Sequence, residues 1–190
     1  MKPVVALLFG LAVASQAQAQ TAPAIQHLPR GTSTDVSNGE ILAAVQKTAA
    51  APVSDQQLRV VSVNGEYNVG VGVVHRAKTQ GRDIGFGIEH SQITEVYHVI
   101  SGNATLVTGG TIENMKETPA DSPVVTTLNG PSSGGGKVIG GQARHIGPGD
   151  VVIIPPNTPH WFTEITSDQI VYLVVRVDPT RVLPAGYGTK

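Results

Sequence analysis

From Leu58 onward the chain is cut into short apolar runs by glycine, proline and asparagine, and no amphipathic helical stretch separates one run from the next. Residues 58–63 lead into Asn64-Gly65, a pair suited to a tight hairpin turn, and Val and Gly then alternate through residues 67–74. Further runs of strand character lie at 84–90, 95–100, 104–108, 151–154, 160–164 and 170–177, with a turn at Ser101-Gly102-Asn103. Strands this short and this closely spaced pair antiparallel into a sandwich or barrel. A doubly wound sheet would need helices between its strands, and none are on offer. The 22 glycines and 13 prolines among 190 residues argue the same way, because helix interiors exclude both.

Ahead of the β region the texture differs. Ser37 and Glu40 stand at the spacing of a capping box, and Ile41, Leu42 and Val45 add an apolar stripe, which predicts one short helix over residues 38–50 ended by Pro52. Residues 20–34 are polar and without period, an expected extended arm. The first segment, MKPVVALLFGLAVASQAQA, joins one lysine to an apolar stretch and a small-x-small end at Ala17-Gln18-Ala19. This is the pattern of a cleaved signal peptide, its apolar run being far short of the ~20 residues that a bilayer requires. The expectation is an exported protein, periplasmic or secreted, with no membrane attachment after cleavage. The expected organisation is a signal peptide at 1–19, an arm and helix at 20–56, a β domain at 57–178 and a tail at 179–190. Residues 109–149, polar and glycine-rich, read as a long loop insertion, either a lid or a mobile segment.

Charge and composition exclude several functions. The formal net charge is −1 and no basic run occurs, so the footprint of a nucleic-acid binder is missing. With no cysteine, disulfides, thiolate metal sites and cysteine nucleophiles are excluded, and any metal must be held by His and carboxylate. The stretch from Gly130 to Lys137 has one residue too many for a phosphate loop and Val138 where Ser or Thr is needed. No G-x-S-x-G nucleophile elbow is present.

The chemistry concentrates in two segments. The first runs from His90 through Ser91-Gln92-Ile93-Thr94 to Glu95 and closes six residues later at Gly102. The second starts at Gly149, reaches Pro155 after five residues and ends in Pro159-His160-Trp161. Both resemble the two signature motifs of the cupin superfamily, G-x5-H-x-H-x3-4-E-x6-G and G-x5-P-x-G-x2-H-x3-N. The resemblance spans about residues 58–178 and implies an all-β fold, a cupin-type antiparallel β-barrel or jelly roll with a short N-terminal helix. His90, Glu95, Gly102, Gly149, Pro155 and His160 fall on motif positions. Three positions depart: Ile88 stands for the first histidine, Asn157 for the glycine and Glu164 for the asparagine. Family members with complete motifs usually hold a divalent metal with three His and one Glu. The resemblance therefore implies a reduced ligand set here, His90, Glu95 and His160.

Coordination chemistry supports that set independently. Divalent Fe, Mn, Ni or Zn accepts imidazole nitrogen and carboxylate oxygen at about 2.0–2.2 Å, and two His with one carboxylate leave positions open for substrate. Strand alternation gives Ile88 and His90 a shared face on one strand and Glu95, Tyr97 and Val99 a shared face on the next, with His98 on the face opposite Glu95. Glu95 and Tyr97 are the candidate catalytic groups, the phenol as general acid or as a group that orients substrate, with plain packing as its alternative. Phe86, Trp161 and Phe162 are expected to form an apolar wall near the cavity mouth, with His145, just before Gly147-Pro148-Gly149, only a lesser candidate for that mouth. His98 reads as a structural or interface histidine, and His27 and His75 as surface or packing residues. The expected function is a metal-dependent enzyme of dioxygenase, isomerase or lyase type acting on a small molecule. The alternative is a non-catalytic small-ligand-binding protein in which Ile88 marks a lost or weakened metal. Sheet edges pair readily, so a second copy in a homodimer is a candidate partner.

Overall fold

A computed structural model describes residues 31–81 and 85–188. The expected signal peptide, most of the arm, His27 and Ile84 lie outside the described residues.

Helix α1 (Asn38–Lys47) starts where the capping box predicts. Ser37 Oγ accepts from Glu40 N at 3.2 Å, and Glu40 Oε2 accepts from Ser37 N at 3.0 Å, so the first turn's open donors find partners. Residues 48–50 form a turn, so the helix is shorter than the pattern suggested. It lies on the outside of the first two strands, where Gln56 Nε2 donates to Ala44 O at 2.7 Å. Its stripe is only half used, because Leu42 remains exposed.

The chain then folds into strands β1 (Val53–Val63), β2 (Tyr67–Ala77), β3 (Ile88–His90), β4 (Thr94–Ser101), β5 (Ala104–Thr108), β6 (Thr111–Ile112), β7 (Lys116–Glu117), β8 (Ser132–Gly134), β9 (Val138–Ile139), β10 (Gln142–Ile146), β11 (Val151–Ile154), β12 (His160–Ile165) and β13 (Gln169–Asp178). β1 begins directly after Pro52, earlier than expected, and of the run at 84–90 only β3 is strand among the described residues. Asn64 and Gly65 both take positive φ at the β1–β2 hairpin. One sheet has the order β1-β2-β13-β4-β11 and a second β10-β5-β12-β3-β8-β7, with β6 and β9 as a separate pair. All pairings are antiparallel. The expected barrel is thus a sandwich of two facing sheets and not one closed cylinder, since no ladder joins an edge of one sheet to an edge of the other among the described residues.

The core between the sheets gathers Val74, Tyr97, Val99, Tyr172 and Val174 from the first sheet with Leu106, Ile146, Phe162 and Ile165 from the second. Burying an aliphatic or aromatic side chain of this size stabilises by about 1.5–3 kcal/mol, so this seam holds the sheets together. Tyr97 lies parallel to Phe162 at 6.4 Å between ring centroids and 4.5 Å from Tyr172.

The Val-Gly alternation of β2 has a packing cause. Pairing sets Gly70 opposite Arg176 and Gly72 opposite Val174. A Cβ on Gly72 would lie 2.9 Å from Arg176 Nη1, and one on Gly70 would lie 2.4 Å from Gln57 Nε2. Glycine at both positions leaves the interior channel in which the Arg176 side chain runs.

Residues 109–149, expected as a loop insertion, contribute five short strands and a π-helical turn at Val124–Asn129. β8 pairs with β3, β7 with β8 and β10 with β5, so three of the five strands belong to the second sheet. Its glycines are ordered through the backbone: Gly136 N donates to Glu113 O at 2.7 Å and Gly135 N to Gly87 O at 3.0 Å. The side chains carry no alternation that would announce these strands.

Candidate metal centre

His90, the last residue of β3, is fixed from two directions. Its backbone O accepts from Asn157 N at 2.8 Å, and its ring Nδ1 lies 2.8 Å from Ser132 Oγ on β8. Ser132 spends its own proton on Gly130 O, also at 2.8 Å, so toward His90 it can only accept. The hydrogen therefore sits on His90 Nδ1, and Nε2 is left as the nitrogen that can bind a ligand. His160, the first residue of β12, repeats the arrangement, with Nδ1 2.9 Å from Thr158 O, a group that can only accept. Its Nε2 is free in the same sense.

Glu95 on β4 presents its carboxylate to both rings. Oε2 lies 3.5 Å from His90 Nε2 and 3.5 Å from His160 Nε2, and it accepts from Tyr97 Oη at 2.9 Å. Oε1 is held from behind by Arg176 Nε at 3.1 Å. Arg176 also donates to Gln57 Oε1 at 2.7 Å and to the Asp55 carboxylate. His90, Glu95 and His160 are all buried, and one ligand atom from each lies within 4.8 Å of the others. An ion at about 2.1 Å from each of three ligands, at angles between a right angle and tetrahedral, needs those ligands about 3.0–3.4 Å apart. The two Glu95–histidine distances of 3.5 Å are close to that range, and with all three ligand atoms within 4.8 Å of one another the set can close on a divalent ion by small side-chain rotations.

The electrostatics point the same way. Burial opposes the charge on Glu95, yet His90, Arg176 and His160 outweigh it and hold the carboxyl well below the usual range. Burial lowers His160 to about 4, against a weaker opposing pull from Glu95, so at neutral pH its Nε2 is a lone-pair donor. Tyr97 is pushed well above its ordinary value, first by burial and next by Glu95, so the phenol keeps its proton. The neutral His160 nitrogen and the ionised Glu95 oxygen, facing each other inside the protein, repel unless a proton or a cation stands between them.

Of the residues singled out in the sequence, the structure brings His90, Glu95, His160 and Tyr97 together. Tyr97 reaches Glu95 itself, which gives it the geometry of a positioning residue. Ile88 pairs with His160 across β3 and β12, so the position of the motif's first histidine carries an alkyl chain beside the cluster. His98 is exposed on the outer face, as alternation predicts. His145 is on an exposed stretch of β10, with Nδ1 3.1 Å from Thr105 Oγ1, and does not join the cluster. His75 is buried, with Nε2 2.9 Å from Ala51 O in the segment that follows α1. The expected aromatic wall divides: Phe86 is exposed and meets Trp161 edge-on, whereas Phe162 sits deep in the core.

Two contributors were missed in the sequence. Ser132 lies in the stretch taken for an insertion, and nothing local marks it. Arg176 did leave a signal, a lone charge in the apolar run Val171-Tyr172-Leu173-Val174-Val175-Arg176-Val177, where a strand covered on both faces has no cheap place for it.

Residues 136–186 match the family model described as AraC-like ligand binding domain. No curated protein matches the chain. Among solved structures, a Bacillus halodurans protein aligns at 15% identity and a TM-score of 0.47, covering 82% of this chain and 88% of that one. A recombinant oxalate oxidase in complex with glycolate aligns at 15% identity and 0.43, covering 68% and 52%, so the chain spans about half of that structure's length. A Bacteroides fragilis protein aligns at 15% identity and 0.36, covering 64% and 75%.

Proposed function

We propose that this chain, a member of the cupin superfamily, is an exported protein that holds one divalent transition metal through His90, Glu95 and His160 and acts as a metal-dependent enzyme on a small molecule. The observation that supports the reading most directly is the convergence of His90 Nε2, His160 Nε2 and Glu95 Oε2, each with its other polar atom already engaged. When bound, such a metal supplies Lewis acidity or activates oxygen, which are the chemistries of dioxygenase, isomerase and lyase reactions. The protein's part is orientation. Ser132 and Thr158 select the ring nitrogens, Arg176 and Tyr97 hold the carboxylate, and burial keeps water from competing for the ligand atoms. Two His and one carboxylate leave coordination positions for a substrate.

The test is elemental analysis of protein purified from its own compartment. About one equivalent of Fe, Mn, Ni or Zn, lost in His160→Ala with an unchanged far-UV circular dichroism spectrum, is the expected result. A folded protein that neither carries nor takes up these metals would overturn it. That outcome favours the second reading, a non-catalytic small-ligand-binding protein, which draws on Ile88 at the missing ligand position and on the ligand-binding description of the family matched over 136–186.

A further inference from the structure

A second cluster of donors lies apart from the metal ligands, around Arg76 on β2. Arg76 is inward-facing, and its Cζ lies 5.2 Å from the ring centres of both Trp161 and Phe162. Its Nε donates to Tyr172 Oη at 3.1 Å, and that is its one hydrogen bond among the described residues. Among the described residues no carboxylate pairs with it. The carboxylate whose charge reaches Arg76 from nearby, Asp55, is committed to Arg176. Contact with aromatic faces stabilises a guanidinium by about 0.5–2 kcal/mol but leaves both its charge and its outer N–H groups unmet. Trp161, against the same guanidinium, buries its indole Nε1 without an acceptor. Among the described residues this corner therefore holds more donors than acceptors, together with a positive charge that no carboxylate pairs.

The corner is also hollow. A cavity of about 80 Å³ is bounded by Arg76, Trp161 and Phe162, with Val53 and Ile165 as further apolar walls and the exposed Lys78 at its margin. A half-buried cation beside a small, mostly apolar space is the arrangement that recognises an anion carrying a short apolar group.

From the unpaired Arg76 guanidinium, the acceptor-less Trp161 and the cavity they share, we infer that this pocket is a binding site for a short-chain monocarboxylate, separate from the metal centre. The carboxylate pairs with the outer nitrogens of Arg76, and its two- or three-carbon tail packs against Val53, Phe162 and Ile165. A neutral amide of the same shape lacks the charge that Arg76 requires and binds poorly.

Trp161 is the chain's only tryptophan, so the site carries its own reporter. Propionate and its neutral isostere propionamide are titrated into the full exported protein, as purified and after chelator treatment, with indole fluorescence and the indole N–H resonance as readouts. The expected result is a saturable response to propionate in both preparations, at least about tenfold weaker with propionamide. In Arg76→Gln the propionate response should fall by about tenfold or more. Val53→Phe, which fills the cavity from a partly exposed wall and leaves Arg76 in place, should weaken it comparably and serves if Arg76→Gln fails to fold. Equal responses to acid and amide, or none to either, would overturn the inference. So would a response that disappears on chelation, which would assign the carboxylate to the metal centre.

Discussion

Asn157 stands where the motif has glycine, and the backbone explains why the exchange is tolerated. Its φ is +57°, in the left-handed region that Asn enters more readily than other side-chain-bearing residues, and its N–H holds the His90 carbonyl. Asn157→Gly should therefore leave urea stability within about 0.5 kcal/mol. Asn157→Val should cost about 1–2 kcal/mol and lower metal occupancy with it, because the donor to His90 moves. Equal stability for the two variants would show that the turn relaxes at no cost. Arg176 is the more demanding case. Arg176→Met leaves Glu95 and Asp55 without their cation and should destabilise by about 3 kcal/mol or more. Saturating divalent metal should recover part of that loss in a thermal melt, because the ion replaces one of the missing positive neighbours; no recovery would count against coordination by Glu95. The motif's closing Gly102 was readable as a position but not as a reason: a Cβ there would sit 2.0 Å from Gln169 O. Packing of that kind depends on a strand far along the chain, which local pattern cannot reveal.

Where a signal was local, whole elements were legible. The β5 and β11 runs fall at their expected bounds, because a short apolar run bounded by turn residues is sufficient for strands that carry a core face. The strands within 109–149 were not, since glycine-rich backbone pairs through its amides without patterned side chains. The helix was legible through its cap, and the cap gives a pH-dependent expectation. The Arg59 guanidinium, followed by the Ser37 amide and hydroxyl, brings the Glu40 carboxyl from an ordinary 4.5 down to about 2. A folded-state value below the unfolded one contributes stability that is full above about pH 4.5 and fades as pH falls toward 2. The Glu40 carboxyl resonance should titrate near 2, and Ser37→Ala should raise that midpoint while costing the helix about 1 kcal/mol. A midpoint that stays near 4.5 in the parent protein would mean that the box is open in solution.

At the scale of the whole molecule, the sandwich sets β3 and β12 of one sheet against β4 of the other, so that ligands separated by many residues meet in one place. The sequence motifs pointed to that convergence, but only the two-sheet arrangement shows which atoms are presented. Binding confined to the folded state makes the melting temperature depend on free metal, by about 2.7 kcal/mol of stabilisation at one hundred times the dissociation constant. Calorimetry on chelated protein, back-titrated with Zn or Mn, should follow that curve in the parent and stay flat in Glu95→Gln. Export is checked separately by intact mass, with the mature chain expected to begin at Gln20. The Ser132–His90 contact carries a warning for anyone reshaping this protein. Trimming the glycine-rich stretch as dispensable would delete the hydroxyl that dictates which tautomer His90 adopts, so a shortened variant could keep every coordinating side chain and still offer the ion the wrong nitrogen.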